Sequence, residues 1–174
     1  MPLRSVAVFA ALGIVALTAP GLAQQTPPAP APARQATPPY GSPLTLETAR
    51  RVVAGAEAEA RRNGWPVAIA VVDSTGHLVL FEKLDNTQYG SIELATVKAM
   101  TVLNYRRPGK ALQDALAGGG LGLRVLNLPG VSVYEGSYPL EVEGALVGAL
   151  GVSGVLPPQD DQVARAGVDA MKAQ

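Results

Sequence analysis

From Thr45 to Arg62 the apolar positions Leu46, Ala49, Val52, Val53, Ala56 and Ala60 recur at helical spacing, which predicts a helix that Thr45 can cap and Asn63-Gly64 can end. Val67 to Val72 is then unbroken apolar sequence rich in β-branched residues. That is the pattern of a strand covered on both faces. Asp73-Ser74-Thr75-Gly76 reads as a turn and His77 to Lys83 as a second strand, so the two strands form a hairpin with a four-residue loop. Simple alternation along that second strand puts His77, Val79, Phe81 and Lys83 on one face and Leu78, Leu80 and Glu82 on the other.

Ser91 can cap a second helix running to about Tyr105, where Arg107-Pro108 stops it. Ile92, Ala95, Ala99 and Val102 form one stripe, while Leu94, Val97, Thr101 and Leu103 spread neutral surface beyond it. A helix apolar on more than one side packs on more than one side, and in a domain this small the second partner is expected to be another subunit. A short helix from Lys110 to Ala117 is followed by a flexible glycine connection, Gly118-Gly119-Gly120-Leu121-Gly122. Leu140 and Val142 precede a Glu143-Gly144 turn, and Ala145 to Val152 complete a second hairpin. A last helix, about Pro158 to Lys172, places Val163, Gly167, Val168 and Met171 on one face. Helix, hairpin, helices, hairpin, helix is the order of an α+β fold, an antiparallel sheet packed by helices, and not of a doubly wound nucleotide fold.

The N-terminus changes the picture. Residues 1–23 carry Arg4, an apolar run from Val6 to Leu17 and a small-x-small site at Gly21-Leu22-Ala23, which together read as a secretory signal peptide cleaved near Ala23. The apolar run is shorter than the roughly 20 residues of a spanning helix, so no stable membrane anchor is expected. No cysteine follows Ala23, which excludes a lipoprotein, and the destination is the periplasm or the medium. Residues 24–43 are rich in Pro and Ala and read as a disordered linker, leaving 44–174 as one domain. Cleavage removes one basic and no acidic residue, leaving 13 Lys+Arg against 14 Asp+Glu, a balance that argues against nucleic acid. The chain has no cysteine, which rules out disulfides, thiolate metal sites and covalent c-type haem.

Several motifs fail on inspection. Gly151-Val152-Ser153-Gly154-Val155 approaches the hydrolase elbow but ends in Val155, and His77 is the single histidine. Gly118-Gly119-Gly120 lacks the Lys-Ser/Thr of a phosphate loop, and Leu123 breaks a dinucleotide fingerprint.

An ordered set of short stretches does stand out. It comprises Arg61-Arg62-Asn63-Gly64-Trp65-Pro66 with the following strand to Asp73, Gly76-His77-Leu78-Val79, Ser91 to Ala99, Arg106-Arg107-Pro108, Leu128-Pro129-Gly130-Val131, Val147 to Gly154, Gln159-Asp160, and Val163 to Gly167. Together they resemble the GlcG/HbpS-type haem-binding family over about residues 44–172. The resemblance implies a profilin-like or PAS-like sandwich, a homo-oligomer, and non-covalent haem b as ligand in some members. One branch of the family is fused to a cobalamin adenosyltransferase. This chain departs from the pattern at Gly136-Ser137-Tyr138-Pro139, where members usually carry Gly-Gly-x-Pro, and at Val155, where a second glycine is usual.

The candidate binding residues are His77, Ser91, Lys98, Tyr138 and Ser153. His77 could ligate haem iron as a neutral imidazole, or simply begin a strand beside a turn. Tyr89, Tyr105, Tyr134, Tyr138, Met100 and Met171 are rival ligands. Lys98 could hold a propionate or another small carboxylate, or pair structurally with Asp85 or Glu93. Gly130, Gly136, Gly151 and Gly154 allow close backbone approach, or open a floor for a planar ligand. The expected function is haem carriage, storage or sensing without intrinsic catalysis; the alternative is an organic-acid sensor or enzyme domain built on Ser91, Lys98 and Ser153.

Overall fold

A computed structural model of the chain describes residues 37–173. The signal-peptide reading of residues 1–23, and the linker reading as far as residue 36, lie outside the described residues. Helix α1 is Leu46–Asn63, with the Thr45 hydroxyl accepting from the Thr48 amide and Gly64 closing the end in the left-handed conformation. Strands β1 (Ala68–Asp73) and β2 (Leu78–Lys83) form the first hairpin, and α2 is Gly90–Tyr105. Helix α3 (Gly109–Ala117), strands β3 (Ser137–Val142) and β4 (Ala145–Ser153), and helix α4 (Pro157–Lys172) complete the domain. The four strands make one antiparallel sheet in the order β2-β1-β4-β3. Among the described residues no helix is long and apolar enough to cross a membrane.

Helices cover both faces of this sheet, which explains the unbroken apolar run in β1. Val67, Ile69 and Val71 join the core built by α1 (Val52, Ala56) and α4 (Val163, Ala164). On the other face Ala68 and Ala70 pack with Ala95, and Val72 packs with Ala99, Val102 and Leu103, all from α2. The close seat of α2 depends on Gly151, where a Cβ would stand 2.1 Å from the Ala95 carbonyl oxygen and 2.6 Å from the Ala99 nitrogen.

Three local features differ from the expectation. A bulge between Val71 and Val72 breaks the alternation of β2, so Val79 and Leu80 both pack toward α1 and α4, whereas Phe81 packs toward Ala95. Ser91 lies inside α2 rather than capping it, because the helix already begins at Gly90. The glycine connection is a 3-10 helix, Gly120–Asn127, with Leu121, Leu123 and Leu126 exposed. Residues 39–44 also run beside β4: the Leu146 amide donates to Pro39, and Gly41 and Leu44 donate to Leu146 and Val147. The Tyr40 hydroxyl donates to the Leu103 carbonyl, and the Arg106 guanidinium stacks 5.4 Å from the Tyr40 ring centroid.

Candidate functional site

His77 is exposed at the β1–β2 turn. Its Nδ1 lies 2.7 Å from the Thr75 hydroxyl, which itself donates to Asp73 Oδ1 at 2.6 Å. Asp73 Oδ1 also accepts from the amides of Thr75 and His77. Desolvation pushes the Asp73 carboxyl up, but these hydrogen bonds outweigh it and hold the group below the ordinary carboxylate range.

Ser91, Lys98 and Ser153 meet between α2 and the end of β4. The Ser153 hydroxyl donates to Ser91 Oγ at 3.1 Å, and Gln88 Nε2 donates to the same oxygen at 2.9 Å. Lys98 Nζ donates to the Val152 carbonyl and to Asp160 Oδ2, each at 2.8 Å. Its ion-pair partner is therefore Asp160, on the first turn of α4, and neither Asp85 nor Glu93. Burial pulls the Lys98 ammonium below the ordinary lysine range and pushes Asp160 above the ordinary carboxylate value, while their attraction opposes both shifts. Gly136 shuts this pocket: at φ +99° it leaves room for no Cβ, which would meet Asp160 Cβ at 2.7 Å and Lys98 Nζ at 3.1 Å. At Gly136 and Gly151 the glycines thus serve close packing and not a ligand floor. At Gly154 a Cβ would likewise meet the Pro66 carbonyl oxygen at 2.2 Å.

Tyr138 stands on the opposite face of the sheet, packed on the α1 and α4 core. Its hydroxyl donates to Asp161 at 2.8 Å, and Arg165 both bridges Asp161 and lies 5.4 Å from the Tyr138 ring centroid. Burial, reinforced by the Asp161 carboxylate, raises its phenol above the ordinary tyrosine range. The structure thus groups Ser91, Lys98 and Ser153, and sets Tyr138 and His77 apart. Ser153 pairs with Ala68 at one end of β1, while the His77 carbonyl accepts from Asp73 at the other, so no serine–histidine couple forms.

An open hollow of about 590 Å³ lies between β2, an edge strand, and the outer side of α2. Leu78, Phe81, Tyr89 and Ile92 line it, with Glu93 and Thr96 at its polar margin. Tyr89 is 88% exposed and Leu78 52%, a cluster of apolar surface that water does not favour. The sequence pattern missed this hollow because the β2 bulge brings Leu78 and Phe81 together. It also missed Asp160, whose one signal was a carboxylate in the first turn of a helix headed by Pro157-Pro158.

A four-stranded antiparallel sheet covered by helices on both faces, with an apolar hollow beside its β2 edge, defines a small α+β module. The family model described as haem degrading protein HbpS-like matches residues 44–169, and the chain belongs to this family. Protein GlcG of Escherichia coli K12 is 33% identical over 110 residues, which cover 63% of this chain and 81% of GlcG. The crystal structure of HbpS superposes with a TM-score of 0.68 at 32% identity, covering 74% of this chain and 90% of that one. A crystal structure of a PduOC:heme complex superposes with a TM-score of 0.67 at 28% identity, covering 74% of this chain and 94% of that one.

Proposed function

We propose that this is an exported haem-binding protein, cleaved near Ala23 and acting outside the inner membrane as a homo-oligomer. It holds haem b non-covalently, for carriage, storage or sensing, without chemistry of its own. The likeness to a haem complex over nearly all of that chain carries this reading. The residues present fit the group. Leu78, Phe81, Tyr89 and Ile92 offer a largely apolar face within the size range of small-molecule sites, where a planar macrocycle would displace water. Haem would supply the iron and its redox and ligand chemistry; the hollow would exclude solvent from one face of it.

Binding is favoured over turnover because the polar residues that converge, Lys98, Asp160, Ser91 and Ser153, are buried and already bonded to one another. The same fact weighs against an organic-acid site, since the Lys98 ammonium is committed to Asp160. The exposed leucines of the 3-10 helix support self-association. Hemin titration of the purified mature protein tests the reading. A saturable Soret shift relative to free hemin is expected, and a spectrum identical to free hemin, with thermal stabilisation by a small organic acid instead, overturns it.

A further inference from the structure

A second hollow, of about 440 Å³, lies between α3, the residues that lead into the edge strand β3, and the start of α4. Leu116, Val133, Tyr134, Glu135, Pro157 and Pro158 carry its chemistry. Gln113 fixes the wall, its side-chain oxygen accepting from the Glu135 amide at 3.0 Å. Among the described residues that line this hollow, only Glu135 is charged.

Glu135 is 6% exposed, and among the described residues no hydrogen bond reaches its carboxylate. Lys110 Nζ stands 3.8 Å from Oε2, too far for one, and donates to Asp114 at 2.8 Å instead. Lys98 is committed to Asp160 and the Val152 carbonyl. A carboxylate so far withdrawn from bulk water needs donors, and with none from the chain they must come from what fills the hollow. A glutamate kept only to pair with Lys110 would be expected at hydrogen-bond distance from it. Here the lysine side chain is 45% exposed and turned to another partner.

The same walls disfavour an anion. Pro157 and Pro158 have no amide hydrogen, and the next amides of α4, those of Gln159 and Asp160, both donate to the Leu156 carbonyl. The helix start thus lacks the free donors with which such ends hold phosphates and carboxylates. Tyr134 adds a half-exposed aromatic ring, whose face attracts cations.

We propose that this hollow is a second binding site, for a small organic amine whose ammonium pairs with Glu135 and whose alkyl or aryl body covers Leu116, Val133 and the two proline rings. Its volume suits a small molecule. The site is separate from the β2 hollow and does not depend on the haem reading.

Calorimetric titration of the mature protein with 2-phenylethylamine and hexylamine tests it, beside the uncharged 2-phenylethanol and the anionic 3-phenylpropanoate. Saturable binding of both amines is expected, with the alcohol and the acid far weaker. Glu135→Gln keeps the shape and is expected to weaken amine binding about tenfold or more. Lys110→Gln removes a competing cation and is expected to strengthen it about twofold to fivefold. Ile92→Glu, in the β2 hollow, is expected to leave it unchanged. The proposal is overturned if neither amine binds, if the alcohol binds as well as the amine, or if Glu135→Gln binds the amines like wild type. Weaker binding in Lys110→Gln, or loss of binding in Ile92→Glu, overturns it too. Should Glu135→Gln fail to fold, the comparison of amine with alcohol on the wild type still decides, and none of these outcomes bears on hemin.

Discussion

Lys98 Nζ stands 2.8 Å from Asp160 Oδ2, with the two side chains only 1% and 3% exposed, and the pair ties α2 on one face of the sheet to α4 on the other. The lysine also caps the Val152 carbonyl near the end of β4, and Asp160 Oδ1 accepts from the Val155 amide beyond it. A buried pair of this kind gives little net stability over an apolar replacement, yet breaking it leaves one uncompensated charge.

Asp160→Asn is therefore expected to destabilise the domain by about 3–5 kcal/mol, and Lys98→Met by a similar amount. The double variant Lys98→Met with Asp160→Asn should recover much of the loss, because no charge is left buried and the carbonyl of the new side-chain amide could still accept from Val155. Urea unfolding of the three proteins measures this, and additive losses would show that the pair is not the source.

Gly151→Ala is expected to cost about 2 kcal/mol or more, because the added methyl meets the backbone of α2 and the helix has to move. Gly130→Ala is the control. Nothing lies within 4 Å of its new Cβ, and only the left-handed backbone at φ +63° opposes the change, at about 1 kcal/mol. Thermal unfolding should rank the two in that order.

Ile92→Glu places a charge in the hollow at a position 38% exposed, so the fold should tolerate it. Hemin affinity is expected to fall by about tenfold or more, the scale of losing one buried aliphatic contact. The readout is the midpoint of the Soret titration, with far-ultraviolet circular dichroism unchanged.

Glu82 is raised above the ordinary carboxylate range, first by desolvation and then by the neighbouring Glu57. The folded state thus binds this proton more tightly than the unfolded chain, so its contribution is most favourable below pH 4.5 and declines as pH rises through the folded value. Glu82→Gln should accordingly melt slightly higher than wild type at pH 7, with the gap closing as pH falls below 4.5. A gap that widens in acid would mean that the unfolded chain holds the proton more tightly.

Leu121→Ser combined with Leu126→Ser removes two leucines that are 74% and 58% exposed. Sedimentation velocity should show a smaller assembly than wild type at equal concentration, with monomer stability unchanged. Equal sedimentation would place the subunit contact elsewhere.

Local sequence carried most of the architecture. Thr45, Gly64, the β1 run and the Glu143-Gly144 turn each signal their role within a few residues, and each lies where that signal puts it. The features that escaped depend on distance or on a single irregular residue pair. Lys98 finds its partner 62 residues away, and nothing near it announces Asp160 over Glu93. One bulge reassigns Val79 and Leu78, and with them the location of the hollow. The Thr75 contact to His77 is only two residues long, but period-two reasoning sorts side chains by face and does not see a hydrogen bond around a turn.

The strip that precedes α1 has a practical consequence. Since Leu146 gives its amide to Pro39 and receives one from Gly41, and Val147 receives one from Leu44, a version of the protein begun at Leu46 would leave three backbone groups unpartnered and a bare stretch of β4 facing water. Another molecule could supply the missing neighbour. Recombinant versions meant to report the native assembly should therefore keep Pro38 through Leu44, or their size in solution will reflect the cut.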